Sequence, residues 1–559
     1  MSGASTEPTP GTPLPPLFTD SRRLFGPTPW LDGPGAVLDV PAPHGHDPTL
    51  LEAWAARVDT MRAVLGWTAA APGALARHRH ARGAILGIPA PPHLLLAATS
   101  LAEWALQAAA EDLGLAFDPA SLEPDALPLD EAAALADLRA RAEAEADAPP
   151  DDHSFETSPH IAVALVTGSN GKTTTTRLLA AMLGAHGHTV GFTSTDGIQV
   201  GDVRVETGDW SGPQGAARVL GEPAVTAAVL ETARGGLLRR GLVVDRADVA
   251  VITNVSEDHF GEYGVDTLAD LARVKGLVAR ALRPGGVLVL NGDDPLLSPD
   301  GPDDPSVPPC ARPCRDGVRV LRFSLARPWP GWLPPPEEIP ITAGGRARYN
   351  AANALAAALA ARAMGIPESE IVRTLRRFGT RPEDNPGRMV REEVGGVTLL
   401  FDYAHNPAGL GALLEVARAG SPAGAQGSGG RLLLLLGQAG DRGDDAIREL
   451  ARAAWSACPD RIILREVTGY VRGRAPGEVP GILARELERL GFGTDQVHTR
   501  LDEHEAVRDA LAWARPGDLL VLPIHGLAAR KRLLELVAEL RQAGWQAGDL
   551  LPGQQRPAT

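Results

Sequence analysis

The sequence predicts an α/β protein in which two doubly wound units follow a separate α+β unit, and three observations carry that expectation. The apolar run Ile161 to Val166, the turn Thr167-Gly168-Ser169-Asn170-Gly171-Lys172-Thr173-Thr174-Thr175-Thr176 and the amphipathic run Leu178 to Leu183 read as strand, glycine-rich loop and helix start. From about residue 156, strand-like apolar runs alternate with helical stretches, the pattern of a largely parallel sheet. The same alternation begins again at Val397 and runs to Pro523.

At 559 residues the chain is too long for one core, and length alone suggests about three or four units. Hydrophobic content of 44% and charged content of 22% are ordinary for a soluble protein, whereas 4% aromatic residues leave alanine and leucine to fill the cores. A net charge of −15 argues against nonspecific binding to nucleic acid or to anionic membranes, although a local basic groove could still serve a polyanionic substrate. The three cysteines, the lack of a basic or apolar leader at Met1 to Glu7 and the shortness of apolar runs such as Leu432 to Leu436 point to a cytoplasmic protein with no membrane partner. Cys310 and Cys314 lie in a Pro/Asp-rich loop without a second ligand pair, which reads as free thiols rather than a zinc site.

In chain order, residues 1–16, rich in Pro, Thr and Gly, are expected to be a disordered leader. A unit over 17–150 follows, with a strand at Gly35 to Val40, helices at Leu50 to Leu65 and Leu94 to Leu113, and a solvated acidic helix at Leu129 to Ala146. Asp147 to Asp152 reads as the linker to the next unit. The central unit, 156–385, has strands at Ile161 to Val166, Val190 to Thr195, Ala224 to Leu230, Val249 to Thr253 and Gly286 to Leu290. Surface loops at Pro302 to Pro313 and Pro328 to Pro340 precede a helix from Asn350 to Ala363. The last unit, 386–551, has strands at Val397 to Phe401, Arg431 to Leu436, Arg461 to Leu464 and Leu519 to Pro523, a loop insertion at Gly420 to Gly430 and a loose tail from Pro552.

Ligands of such sheets gather beyond the carboxyl ends of the strands. After Val166, the backbone N–H groups of Gly168, Ser169, Asn170 and Gly171, reinforced by the helix dipole, suit phosphate oxygens. Lys172 adds a point charge, and Thr173, followed by Thr174, supplies a magnesium-binding hydroxyl, so a nucleoside triphosphate is the expected ligand. The general pattern would place its first glycine at Val166; here Gly168 carries it, which marks a subtype. After Leu230 comes Glu231-Thr232-Ala233-Arg234-Gly235-Gly236, and after Thr253 comes Asn254-Val255-Ser256-Glu257-Asp258-His259. Mg²⁺ takes oxygen ligands and usually recruits a carboxylate from another strand, a place that Glu231 fits better than a capping or ion-paired role does.

The loop Thr-Gly-Ser-Asn-Gly-Lys-Thr-Thr-Thr resembles the ATP loop of the Mur ligase superfamily, whose members join a carboxylate to an amine with ATP. The resemblance implies a Mur-ligase-like central domain and a Rossmann-like C-terminal domain, with ATP and Mg²⁺ as cofactors. It implies a second magnesium at His259, in the Asn-x-x-x-Asp-His segment, and a carbamylated lysine at Lys275, which requires burial to free the neutral amine. By the same resemblance, Arg388 in Asn385-Pro386-Gly387-Arg388 neutralises phosphate, and Asp402 in Asp402-Tyr403-Ala404-His405-Asn406-Pro407 binds a ribose or an incoming ammonium. Read without it, Asn-Pro is a common turn and Asp402 could cap the helix near Ala408. Asn350 and Asn353, in Tyr349-Asn350-Ala351-Ala352-Asn353-Ala354, match the helix start that lies near the adenine.

Within the superfamily, Glu231 to Arg239, Thr267 to Lys275, Arg346 to Asn350 and Arg472 to Arg474 resemble the Mur-like half of cyanophycin synthetases. Arg23 to Trp30 and Ser100 to Gln107 are similar to segments of the N-terminal domain of those enzymes. Their ATP-grasp domain lies between the two parts, where this chain has only a short acidic segment, and Asp258-His259-Phe260-Gly261 departs from their Asp-His-Leu-Gly. The implied activity is an ATP-dependent ligase that activates a carboxylate acceptor as an acyl phosphate and captures it with an amine, as when an amino acid is joined to an aspartate-type side chain. Closure of the C-terminal unit about Pro386-Gly387 is expected to keep water out. A folylpolyglutamate- or poly-γ-glutamate-type ligase and a non-catalytic nucleotide-binding partner subunit compete with that reading. The acceptor, the amine and any homo-oligomer stay open at this stage.

Overall fold

The computed structural model describes residues 14–70, 73–122, 124–148, 160–257, 260–297, 317–419, 430–467 and 469–552. His259 with Asp258, Cys310, Cys314, most of the expected leader and linker, the 420–429 insertion and nearly all of the tail lie outside the described residues.

The first unit is an antiparallel sheet of β1 (Asp20–Leu24), β2 (Gly35–Pro41), β3 (Ala76–His80) and β4 (Gly83–Pro89), in the order β1-β2-β4-β3. Helices α1 (Pro48–Val64), α2 (Trp67–Ala70), α3 (Leu95–Asp112) and α4 (Glu131–Ala146) accompany it. The start of α1 is set locally, since the Asp47 carboxylate accepts from the Thr49 and Leu50 N–H groups and Pro48 needs no donor at the first helical position. Helix α3 buries Leu101, Trp104, Ala105 and Ala108 between sheet and α1, whereas α4 buries only Ala134 and Leu138, in keeping with its acidic, alanine-rich sequence. Strand β3, Ala-Arg-His-Arg-His, is an edge strand without an apolar run, and its charges guard the open edge.

The central unit contains β5 (Ala162–Thr167), α5 (Lys172–Ala185), β6 (Val190–Ser194), β7 (Gly197–Val200), β8 (Val203–Thr207), α6 (Pro213–Leu220) and β9 (Ala227–Glu231). It continues with α7 (Arg234–Arg240), β10 (Ala247–Ile252), α8 (Leu268–Gly276), β11 (Leu282–Asn291), β12 (Arg319–Phe323), α9 (Arg348–Ala363) and α10 (Glu368–Leu375). The sheet order is β12-β11-β10-β5-β9-β6-β7-β8, parallel from β12 to β6 and antiparallel across β7 and β8. From β5 the chain steps to β6 and β9 on one side and to β10 and β11 on the other, so the turns after β5, β9 and β10 share one switch point. All five strands expected here are present; β7, β8 and β12 are additions, and β8 is exposed along its whole length, so no buried face marked it.

The first unit is joined to this one by backbone contact. Phe25 N–H donates to the Arg240 carbonyl at 2.8 Å, Leu242 N–H donates to the Pro27 carbonyl at 2.9 Å, and Arg82 pairs with Asp266 at 3.0 Å. Gly26 is required there, because a Cβ would stand 1.9 Å from the Leu242 carbonyl oxygen.

The C-terminal unit runs β13 (Val390–Val394), β14 (Val397–Asp402), α11 (Pro407–Ala419), β15 (Leu432–Leu436), α12 (Asp444–Ser456) and β16 (Arg461–Leu464). It ends with α13 (Glu478–Arg489), β17 (Val497–Thr499), α14 (Glu503–Trp513), β18 (Leu519–Pro523) and α15 (Leu527–Gln542). Its order is β13-β14-β18-β15-β16-β17, parallel except for the β13 edge. Helices cover both faces, which is why β15 can be five leucines in a row. Among the described residues no helix is long and apolar enough to cross a membrane.

Candidate functional site

The switch point of the central sheet faces the strand ends of the C-terminal sheet across a cleft of about 990 Å³. Gly168, Ser169, Asn170, Gly171, Lys172, Thr173, Thr174, Glu231, Lys275, Asn350, Asn353, Arg388 and Asp402 all line it.

The loop between β5 and α5 is held almost entirely by its own neighbours. Ser169 N–H donates to the Asn254 carbonyl at 2.9 Å, and Asn170 N–H donates to Asn254 Oδ1 at 2.9 Å. The Thr253 hydroxyl and the Asn254 side-chain amide both donate to the Asn170 carbonyl, at 2.6 and 3.0 Å. Ser169 Oγ donates to the Ser256 carbonyl and accepts from its N–H, at 2.8 and 2.9 Å. Two glycines are forced. Gly168 has φ +148° with Thr253 Oγ1 1.8 Å from where a Cβ would sit, and Gly171 has φ +83° with Asn353 Oδ1 at 2.2 Å. Asn353 is fixed in turn, because its amide donates to Asn350 Oδ1 at 3.1 Å and Asn350 donates to the Ile341 carbonyl at 2.8 Å.

Lys172 folds its ammonium back onto the Gly168 and Ser169 carbonyls at 3.1 and 3.0 Å. Thr173, in the first turn of α5, donates its hydroxyl to Glu231 Oε2 at 2.8 Å, joining the ends of β5 and β9. The other carboxylate oxygen of Glu231, Oε1, is buried without a hydrogen-bond partner among the described residues. Burial pushes the Glu231 carboxyl above its ordinary pKa, against the pull of Lys172, Arg388 and the Thr173 hydroxyl. A free carboxylate oxygen beside a hydroxyl suits a hard cation completed by phosphate and water oxygens. Among the described residues no three His, Cys, Asp or Glu side chains gather into a metal cluster.

Residues from beyond the central unit complete the wall. Arg388 Nη2 donates to Thr195 Oγ1 at 3.1 Å and Thr173 Oγ1 at 3.3 Å, and its guanidinium lies 4.0 Å from the Tyr403 ring centre. Asn385 donates to the Thr174 hydroxyl at 3.2 Å, and Asn406 donates to Asn170 Oδ1 at 3.0 Å. The Asp402 carboxylate accepts from the Met389 and Ala404 N–H groups, each at 2.8 Å, so it ties the segment entering β13 to the end of β14. The helix cap is instead Asn406, whose Oδ1 accepts from Gly409 N–H at 2.8 Å. Burial raises the Asp402 carboxyl as well, opposed by Arg388 and those backbone donors. Lys275, on α8, is 1% exposed and borders the same cleft.

The sequence reading did not single out Thr195, Asp196 or Arg530, all of which stand at or beside the cleft. Thr195 and Asp196 follow β6, so inspecting every strand end would have found them. Arg530 lies on α15, and no local signal pairs it with a residue 334 positions earlier.

Comparison with known proteins places two models on this geometry. Residues 166–299 match the Mur ligase middle domain, and residues 387–523 match the Mur ligase, glutamate ligase domain. A cyanophycin synthetase from Synechocystis sp. is 38% identical over 386 residues, covering 66% of this chain and 42% of that protein. The chain thus spans less than half the length of that relative. A UDP-N-acetylmuramyl-tripeptide synthetase from Roseiflexus sp. is 29% identical over 395 residues, covering 64% of this chain and 72% of the relative. Among solved structures, a bifunctional folylpolyglutamate synthase/dihydrofolate synthase from Yersinia pestis, complexed with AMPPNP and Mn ion, aligns with a TM-score of 0.48 and 20% identity. That alignment covers 68% of this chain and 89% of the other.

Proposed function

The stretches 166–299 and 387–523 are Mur ligase domains, and from that premise we propose that the chain is an ATP-dependent carboxylate-amine ligase that forms an amide through an acyl phosphate. One observation carries the reading: Thr173, Glu231 and Arg388, from three separate segments, converge on the mouth of a phosphate-binding loop. In a chain of net charge −15 this gathers cationic groups, Lys172 and Arg388, around one carboxylate.

Because Asn254 takes the Ser169 and Asn170 N–H groups, the N–H groups of Gly171 and the first turn of α5, with Lys172, hold the triphosphate, and Asn350, Asn353 and Asp402 border the nucleoside. Thr173 and Glu231 would hold a divalent cation, Mg²⁺ in this proposal, and His259 would serve a second one; bound there, the ions would neutralise phosphate charge. The acceptor carboxylate attacks the γ-phosphorus, ADP leaves, and Lys172 with Arg388 stabilises the charge that spreads over the transferring oxygens. An amine then attacks the activated carbonyl carbon, loses a proton, and inorganic phosphate departs. Lys275, buried beside the cleft, is proposed to serve as a carbamate. The substrates proposed are an aspartate-type side-chain carboxylate and an amino acid.

Acceptor labelled with ¹⁸O in its carboxylate tests the chemistry. Label should appear in the inorganic phosphate, and ADP release should require both acceptor and amine. Inorganic phosphate that carries no label during productive turnover would refute the acyl phosphate.

A further inference from the structure

We infer that Asp196 and Arg530 form a latch between the central and C-terminal units, and that its closure positions Arg388 at Thr173. Both are positioning residues in this account, and the assignment rests on the reading of the cleft as a nucleotide site.

Arg530 reaches out of α15 and donates from Nη2 to Asp196 Oδ1 at 2.7 Å, and from Nη1 to the Pro386 carbonyl at 3.0 Å. One guanidinium therefore holds the turn after β6 and the hinge segment two residues before Arg388. Gly387 makes room for it, with φ +67° and space where a Cβ would stand 2.1 Å from Arg530 Nη1. Asp196 directly follows Thr195, the hydroxyl that Arg388 contacts at 3.1 Å. The Asp196 carboxylate is 1% exposed, and its Oδ2 has no hydrogen-bond partner among the described residues. Its next cation is Arg177 Nη2 at 3.9 Å, on the helix that begins at the phosphate loop. Arg388 also acts on Asp196 through space, alongside Arg530.

Three arginines thus surround one buried carboxylate, from α5, the hinge and α15, and only Arg530 is within hydrogen-bond distance. A buried ion pair is a poor source of net stability, because desolvation offsets most of the attraction, but it specifies an arrangement strictly. Here the arrangement specified joins two units. If the C-terminal unit swings away, Arg530 leaves Asp196, and Arg388, which travels with the Tyr403 ring that supports it, leaves Thr173 and Thr195. Asp196 then retains Arg177, which stays on its own unit. The pair is therefore made in the closed form and broken in the open one, and the same closure brings Arg388 to the loop.

The full-length protein tests this as Asp196→Asn, Arg530→Gln, the double variant and Arg530→Lys. Small-angle scattering with and without Mg²⁺ and a non-hydrolysable ATP analogue reads closure, and steady-state kinetics separates kcat from KM. Each single variant is expected to lower kcat about tenfold while KM for ATP shifts less than about threefold, and to abolish analogue-induced compaction. The double variant should be no worse than the worse single, and Arg530→Lys should recover part of the compaction. Intact compaction with unchanged kcat overturns the latch, as does a double variant whose loss is the product of the singles. Should Asp196→Asn fail to fold, the contrast between Arg530→Gln and Arg530→Lys decides. If the wild type makes no amide, the ligase reading falls, while compaction still judges the latch.

Discussion

The two sides of the cleft are built by opposite means. On the central side, the phosphate loop is fixed by neighbours at the ends of adjacent strands, with Ser169, Asn170, Thr253, Asn254 and Ser256 saturating one another. On the C-terminal side, Arg388, Asn406 and Arg530 project long polar side chains across to groups they meet nowhere in their own unit. A preorganised loop can bind phosphate without rearrangement, whereas a wall made of reaching side chains exists only when the two units are together. Under the proposed function, the contrast lets nucleotide bind to the central side alone and reserves reaction for the docked arrangement.

The sharpest way to break the contrast is at the loop. Lys172→Ala should lower turnover about 10²–10³-fold with circular dichroism unchanged, since it removes charge stabilisation and no packing. Next, Gly171→Ala must either push Asn353 aside or leave φ +83°, and a displaced loop should cost about 10²-fold in kcat/KM, measured with ATP varied. If Gly171→Ala were silent, the loop would not be as rigid as its contacts require. On the other wall, Asn406→Ala removes both the α11 cap and the bond to Asn170, so a stability loss of about 1 kcal/mol by denaturant titration is expected. Nucleotide affinity measured by calorimetry should barely change.

Acid sharpens the comparison. Burial alone would raise the Asp196 carboxyl, but Arg388 and Arg530 outweigh it and hold the group below its ordinary value. Its contribution is therefore complete above the unfolded carboxylate pKa of about 3.9 and is lost as pH falls below that. Glu231 and Asp402 shift the other way, so they favour the folded state below their unfolded values and lose that preference as pH rises through the folded ones. Thermal unfolding at pH 6 and pH 3.5 should show a larger acid loss for wild type than for Asp196→Asn. The smallest effect is a control away from the cleft: Thr267→Ala, which opens the capping box of α8, should cost about 1 kcal/mol and leave turnover alone.

Much of the fold was legible because parallel strands buried on both faces must be apolar along their whole length. Ala162–Thr167, Leu432–Leu436 and Leu519–Pro523 stand out for that reason. Among the strands that the sequence did not mark, β3, β8 and β13 lie at or beside sheet edges and carry charged or exposed residues, whereas β4 is interior and buried. The candidate site divides in the same way. Lys172 and Thr173 follow from strand, glycine loop and helix in sequence, and Glu231 from its place at a strand end.

By itself, the sequence determined the loop, because backbone geometry, glycine placement and the helix start are local properties that about ten residues can encode. Only the tertiary structure decided that Asp196 would be matched by Arg530 rather than by any other arginine of the chain. Side chains hundreds of positions apart acquire a relation only where two sheets meet, and no local pattern records how they dock.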